Sequence, residues 1–407
     1  MLHYKLMTHF NIIYTTLIVF FITLIILFKI TNNIILSYFI SFIKSFLYLF
    51  YYIFWLNKKF VAAGDNLKYL KYGKYLYNRN IDLLNFFLHY QYIFQLANGR
   101  DIIYYPYIAE SFRIFGIGLY APIAMNIILT DISALFFYKI IKDYIGFSMG
   151  NARILTVYFL VEPFVFTYST FFDGKGILVM CLLLICLYGI GKLTIEKNYF
   201  IAIVSLFISN ISLLFLRFYY PFLILLAFII ANLIFKFINK QLFKIRNLLY
   251  FLILFLLIPI YFLKVYTFKA SFTIIEHYFI NPLYGILHFV LSPMPFHSSS
   301  NYAFFNIPAM IYYLLLPLLL AGFWKSLKVK EQYMLIINMF FIILVVFYGS
   351  FALLNGPRYR IPLVPIIIIY QFYGFLIFFK NSFAKGNLSK NKFELLWQKE
   401  IKKRKYI

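Results

Sequence analysis

Residues 174–193 read GKGILVMCLLLICLYGIGKL, and no charged side chain stands between Lys175 and Lys192. Coiled as an α-helix, that run is long enough to cross a hydrocarbon layer ~30 Å thick. Similar apolar blocks stand at 9–30, 34–56, 119–141, 151–172, 199–216, 219–236, 248–265, 307–323, 333–354 and 361–379, which gives about eleven spans of bilayer length. The whole chain of 407 residues is 64% hydrophobic and only 13% charged. An ordinary soluble domain is nearer half apolar and a quarter charged, so there is too little polar material here to coat a water-exposed surface. Lipid offers no partner to backbone N–H and C=O groups, which leaves helices or a closed barrel, and the blocks lack the alternation of barrel strands. The expected fold is all-α, a polytopic transmembrane helical bundle occupying 1–379 and followed by a basic tail at 380–407.

A net charge of +25 suggests nucleic acid until its placement is read. The basic residues sit in short clusters between apolar blocks, as topology signals do, so membrane lipids rather than nucleic acid are the expected surroundings. Lys139, Lys142 and Arg153, then Lys192 and Lys197, then Lys236, Lys240, Lys244 and Arg246, then Lys325, Lys328 and Lys330, and finally the tail fall on alternate connections. All five regions are therefore expected in the cytoplasm, in a multi-pass protein of the cell membrane with a cytoplasmic C-terminus. The opposite face then holds outer loops 57–118 and 266–306, with amphipathic interfacial helices expected in the first. That loop carries Lys58, Lys59, Lys68, Lys71, Lys74 and Arg79, against the usual bias, but long loops obey the charge rule weakly. Residues 10–30 exceed the h-region of a cleavable signal and are expected to remain a span. Cys181 and Cys186 lie within one apolar block and read as small buried hydrophobes. In the tail, Phe393, Leu396 and Trp397 could lie on lipid with basic residues toward headgroups; a disordered tail is the other reading.

Thirteen acids are few enough to sort singly. Asp131 and Glu162 fall inside spans, where an acid is either functional or paired with a polar group of a neighbouring span. Asp65, in Ala63-Gly64-Asp65-Asn66-Leu67-Lys68-Tyr69, opens a stretch in which Tyr69, Tyr72 and Leu76 share one helical face. Its carboxylate suits a helix N-cap, where aspartate is favoured and its charge complements the helix dipole. The outer turn Asn355-Gly356-Pro357-Arg358-Tyr359-Arg360-Ile361-Pro362 brings two guanidinium groups to the membrane face. Arginine's planar fork fits phosphate, while snorkelling to headgroups is the alternative. Arg217 in a short turn and Lys175 beside Asp173 add outer cations.

In this order the elements resemble the GT-C superfamily of membrane glycosyltransferases, which includes protein O-mannosyltransferases and lipid A aminoarabinose transferases. Four stretches carry the likeness: Gly64-Asp65 with Tyr69, Glu162-Pro163-Phe164-Val165-Phe166-Thr167-Tyr168-Ser169 followed by Asp173, the Leu216-Arg217 turn, and Arg358-Tyr359-Arg360 with Pro362 and Pro365. The chain departs from many members in having Asn66 rather than a second acid after Asp65, and in an extra N-terminal span. The resemblance implies a polyprenyl-phosphate sugar as donor, a glycan or lipid as acceptor, and cell-surface glycan assembly as the setting. It also implies Asp65 as base, with Arg358, Arg360, Arg217, Tyr69, Asp173 and Lys175 in the substrate site. No cofactor is implied beyond the lipid-linked substrate, and His277, His288 and His297 have no compact metal-site spacing. A polysaccharide polymerase and a lipid-linked-sugar flippase remain as other readings of the same span pattern. The orientation is directly testable: reporter fusions after residues 145, 240 and 385 should report cytoplasm, and fusions within 57–118 and 266–306 the outside. An outside signal at 385 would reverse the assignment of both faces.

Overall fold

The computed structural model describes residues 2–55, 65–99, 101–239, 281–292, 294–296, 305–351 and 357–385. The expected span at 248–265, most of loop 266–306 and the tail beyond 385 lie outside the described residues. Elsewhere the chain is helical: α1 (Leu2–Thr31), α2 (Ile34–Phe50), α3 (Asp65–Asn78), α4 (Tyr90–Leu96), α5 (Tyr104–Phe115), α6 (Tyr120–Lys139), α7 (Met149–Val161), α8 (Pro163–Thr170), α9 (Gly176–Gly191), α10 (Tyr199–Leu216), α11 (Tyr219–Asn239), α12 (Pro282–Leu291), α13 (Asn306–Ser326), α14 (Gln332–Gly349), and α15 (Val364–Lys385), the last entered through a single turn at Pro357–Arg360. Among the described residues nine helices are long and apolar enough to cross a membrane.

One expected span, 151–172, is broken. Glu162 is extended (φ −55°, ψ 127°), which separates α7 from α8. Pro163 causes this, because its ring disfavours the helical region for the residue before it. The Glu162 carboxylate then caps the new N-terminus by accepting from the Val165 N–H at 2.8 Å, so the backbone group freed by the break is satisfied inside the chain.

The core of the bundle is α9, buried along nearly its whole length and packed on α6 and α10. α13 and α15 cross backbone to backbone: a Cβ on Gly322 would strike the Tyr370 carbonyl, and one on Gly374 the Leu318 carbonyl. Small residues permit such close approach between membrane helices. Asn338 of α14 ties the same pair together, donating to the Ser326 carbonyl at 3.0 Å and accepting from the Tyr370 hydroxyl at 2.9 Å.

The N-terminal hairpin is fastened differently. Lys44 of α2 donates to Asp131 Oδ1 of α6 at 2.8 Å, and both side chains are wholly buried. Thr23 of α1 donates to Asp131 Oδ2 at 2.6 Å. Of the two sequence readings for Asp131, the structure realises pairing across spans. Breaking a buried pair strands a charge, at a cost of about 3–5 kcal/mol, whereas replacing both partners by apolar groups is often tolerated. Lys44→Met should therefore lower the thermal unfolding temperature of the detergent-solubilised protein sharply, and Lys44→Met with Asp131→Leu should recover most of the loss. A double variant as unstable as the single one would refute the pairing account.

Candidate functional site

Connectivity gathers the lysine-rich turns at one end of the bundle, where the Tyr144 hydroxyl donates to Glu196 at 2.9 Å and Gln332 donates to Asn232 at 2.6 Å. The opposite end carries α3, α4, α5 and the turns before α9, α11 and α15. The candidate site lies here.

Its centre is Asp101, in a left-handed backbone conformation (φ 55°) that aspartate tolerates better than most residues. That geometry places it just before α5, with the Tyr104 N–H bonded to the Asp101 carbonyl at 2.9 Å. Tyr69 of α3 donates to Asp101 Oδ2 at 3.0 Å. Lys175, at the start of α9, donates to the same carboxylate oxygen and to the Tyr69 hydroxyl. Three segments distant in sequence thus meet on one acid. Alongside, the Tyr69 ring meets the Tyr104 ring edge-on at 4.9 Å, and the Tyr104 hydroxyl donates to Asp173 Oδ1 at 2.6 Å. Among the described residues Asp173 Oδ2 is buried with no hydrogen-bond partner.

Two arginines complete the group. Arg217 donates to the Tyr219 hydroxyl at 2.9 Å, and its guanidinium lies 4.4 Å from the Tyr359 ring centroid. Arg358, exposed, lies 4.9 Å from the same centroid. Tyr219 in turn reaches the Tyr348 hydroxyl at 3.3 Å, and Tyr348 donates to Tyr220 at 2.7 Å, so a buried chain of hydroxyls backs Arg217.

Arg360 goes elsewhere. It is buried, donates to the Val290 carbonyl at 2.8 Å, and lies 4.0 Å from the Tyr312 ring centroid. Residues two apart on a helical turn do not share a face, which is why Arg358 and Arg360 part. Of the residues singled out from sequence, then, Tyr69, Lys175, Arg217 and Arg358 converge, Asp173 joins them through Tyr104, and Arg360 does not. Asp65 begins α3 one turn before Tyr69, and its side chain lies outside the described residues. The sequence reading does not single out Asp101, Tyr104 and Tyr359 as site residues; the signal for Asp101 is its place shortly after the Asn98-Gly99 pair and ahead of a tyrosine-rich stretch.

The electrostatics follow from this packing. Burial would push the Asp101 carboxyl up, but Lys175 and Arg217 with two hydrogen bonds outweigh it and hold the group below its ordinary value. Burial lowers Lys175 to about 8, helped by Arg217 and opposed by Asp101. Burial raises Asp173 to about 7, the Tyr104 hydrogen bond opposing. Lys175, Arg217 and Arg358 set against Asp101 leave an excess of positive charge, in which an anion would be at home.

An apolar cavity of about 320 Å³ lies behind Tyr104, since Tyr107, one of its lining residues, stacks on the Tyr104 ring at 5.4 Å. Leu178, three residues beyond Lys175, lines it with Ile103 and Tyr107, as do Phe207 and Ile208 of α10. Those two α10 side chains are also exposed on the outside of the bundle, where lipid would lie.

Fold and charge placement together define a polytopic α-helical membrane protein. Compared with protein-family models, with curated proteins and with solved structures, the chain matches none.

The Asp173 shift has a measurable sign. The folded protein keeps a proton that the unfolded chain releases near pH ~4, so it binds more protons across the window from there to about 7. Stability must fall as pH rises through that window. Asp173→Asn keeps an oxygen for Tyr104 and never ionises. Its unfolding temperature should match wild type in acid and exceed it at pH 8; a pH-independent gap would contradict the assignment.

Proposed function

We propose that this chain is a membrane glycosyltransferase that takes a sugar from a polyprenyl-phosphate donor at the outer face of the cell membrane. The observation that carries the reading is the convergence of Lys175, Arg217 and Arg358 around Tyr359, Tyr69 and Asp101, beside an apolar cavity that borders the lipid side of α10. A cationic cluster next to an apolar slot suits a phosphate carried on a hydrocarbon chain. The order of motifs shared with GT-C enzymes supports the same reading.

In this mechanism the acceptor hydroxyl gives its proton to Asp65, and its oxygen attacks the anomeric carbon of the sugar. The bond from that carbon to the phosphate oxygen breaks, and the leaving polyprenyl phosphate takes the electron pair. Lys175, Arg217 and Arg358 stabilise the negative charge that grows there. The lowered Lys175 sets a limit, since its charge is lost as pH rises through about 8, so donor affinity should weaken above that pH. A flippase would use an intramembrane acid, Asp131 or Glu162, as its coupling group; Asp131 is held by Lys44 and Thr23, and Glu162 caps α8 by accepting from the Val165 N–H.

Purified protein given a lipid-linked sugar and an acceptor should release free polyprenyl phosphate. Movement of intact lipid-linked sugar across liposomes without cleavage would overturn the proposal. Asp65→Asn should lower turnover on the order of 10²–10⁴-fold with the protein still folded, whereas a mere cap would tolerate asparagine at little cost. Arg358→Lys keeps the charge and loses the fork, so it should raise the donor concentration needed and leave turnover near wild type.

A further inference from the structure

The outward side of α3 carries a second feature that the transfer chemistry does not use. Tyr69, Gly73 and Leu76 are buried, and Gly73 lies so close to Ile108 of α5 that a Cβ there would collide. The apolar side of α3 is therefore spent on α5. Lys68, Lys71 and Lys74 recur at helical spacing on the exposed side, with Asn78 beyond them. Just past the helix, Arg79 lies over the exposed Tyr75 ring at 4.7 Å and over Tyr92 of α4 at 5.2 Å. The two rings are stacked with centroids 6.3 Å apart. None of these four cations has an acidic partner among the described residues. The nearby acids Asp82 and Asp101 are held by Arg113 and Lys175.

A helix resting on lipid presents apolar side chains to it, whereas the exposed side of α3 carries Lys68, Lys71 and Lys74 with Tyr75 and Asn78, and Leu67 alone as an exposed aliphatic residue. The exposed apolar side chains that follow it are Leu84, Phe87 and Leu88, on the next segment. Lys68 to Arg79 extends ~16 Å at the helical rise, and it ends in a cationic aromatic stack. Lysines attract anionic groups along a chain, while tyrosine rings accept the C–H face of a sugar. Charge and aromatic surface together fit an anionic glycan.

We propose that this side of α3, with the Arg79–Tyr75–Tyr92 stack, binds a glycan whose sugars bear carboxylate or phosphate groups. On the glycosyltransferase reading, this is the acceptor, held on the helix that also carries Asp65 and Tyr69; the binding itself does not depend on that reading.

The test uses the full-length protein in phosphatidylcholine nanodiscs, with labelled oligogalacturonate, neutral dextran of similar length and polyglutamate as probes. Oligogalacturonate should bind, weaken as salt rises, and exceed dextran by at least about tenfold, a factor worth 1.4 kcal/mol. K68Q/K71Q/K74Q should lose about tenfold or more in oligogalacturonate affinity while keeping the wild-type unfolding temperature. Tyr75→Ala should weaken oligogalacturonate and spare polyglutamate. Unchanged oligogalacturonate binding by the triple variant overturns the proposal. So does equal binding of polyglutamate together with indifference to Tyr75→Ala, which reduces the surface to general polyanion attraction. Loss of binding to phosphatidylglycerol vesicles alone would assign the lysines to lipid instead. Release of polyprenyl phosphate from a lipid-linked sugar given with an acceptor separates the two ideas: it fails if the transferase reading fails, whereas the glycan-binding result stands or falls by the triple variant.

Discussion

The hydrocarbon core of a bilayer offers no water to a polar group, so one placed there is costly unless the protein supplies a partner. Much of this structure follows from that constraint. Asp131 is answered by Lys44 and Thr23, and Asn338 by Ser326 and Tyr370; the Asn210 amide nitrogen donates to the carbonyl one turn back on its own helix. Even the break between α7 and α8 is closed locally, by the carboxylate of the residue that makes it. These contacts join helices that apolar side chains alone would hold less selectively, because lipid tails are as apolar as the side chains themselves.

The same constraint relaxes at the end of the bundle that carries α3 and α5. There Lys175, Arg217 and Asp101 are partly satisfied by one another and by tyrosine hydroxyls, without any one pair being closed off as Lys44 and Asp131 are. Tyrosine suits this duty, since its ring packs like a hydrophobe while its hydroxyl reaches a charge. The result is a rim where positive charge exceeds negative charge, unlike the closed pair of Lys44 and Asp131.

The helical bundle was largely legible in the sequence because hydropathy is written locally: a block such as 174–193 announces itself without reference to any other. The exception at Glu162 shows the limit of averaging. The residue before Pro163 carried a local signal for extension, and a window long enough to find a span smoothed over it. Side-chain pairing was less legible. Asp131 meets partners 87 and 108 residues away, and spacing cannot report such distances, although a lone lysine in the block 34–56 was a hint. The separation of Arg358 from Arg360 was readable in principle from their i, i+2 spacing. Asp101 was not, because its importance lies in the meeting of α3, α5 and α9 rather than in any motif around it.

The Lys44–Asp131 pair also bears on how the protein is made. Synthesis runs from the N-terminus, and 87 residues separate the two partners. The α2 segment is therefore complete, with its ammonium group inside an apolar block, well before α6 exists to neutralise it. A lysine at the centre of a membrane helix disfavours insertion by roughly 2.5–3.5 kcal/mol. The α1–α2 hairpin must then either linger in the aqueous shelter of the insertion machinery or sit displaced toward an interface until α6 arrives. Its final seating thus waits on α6, although it is translated before that helix.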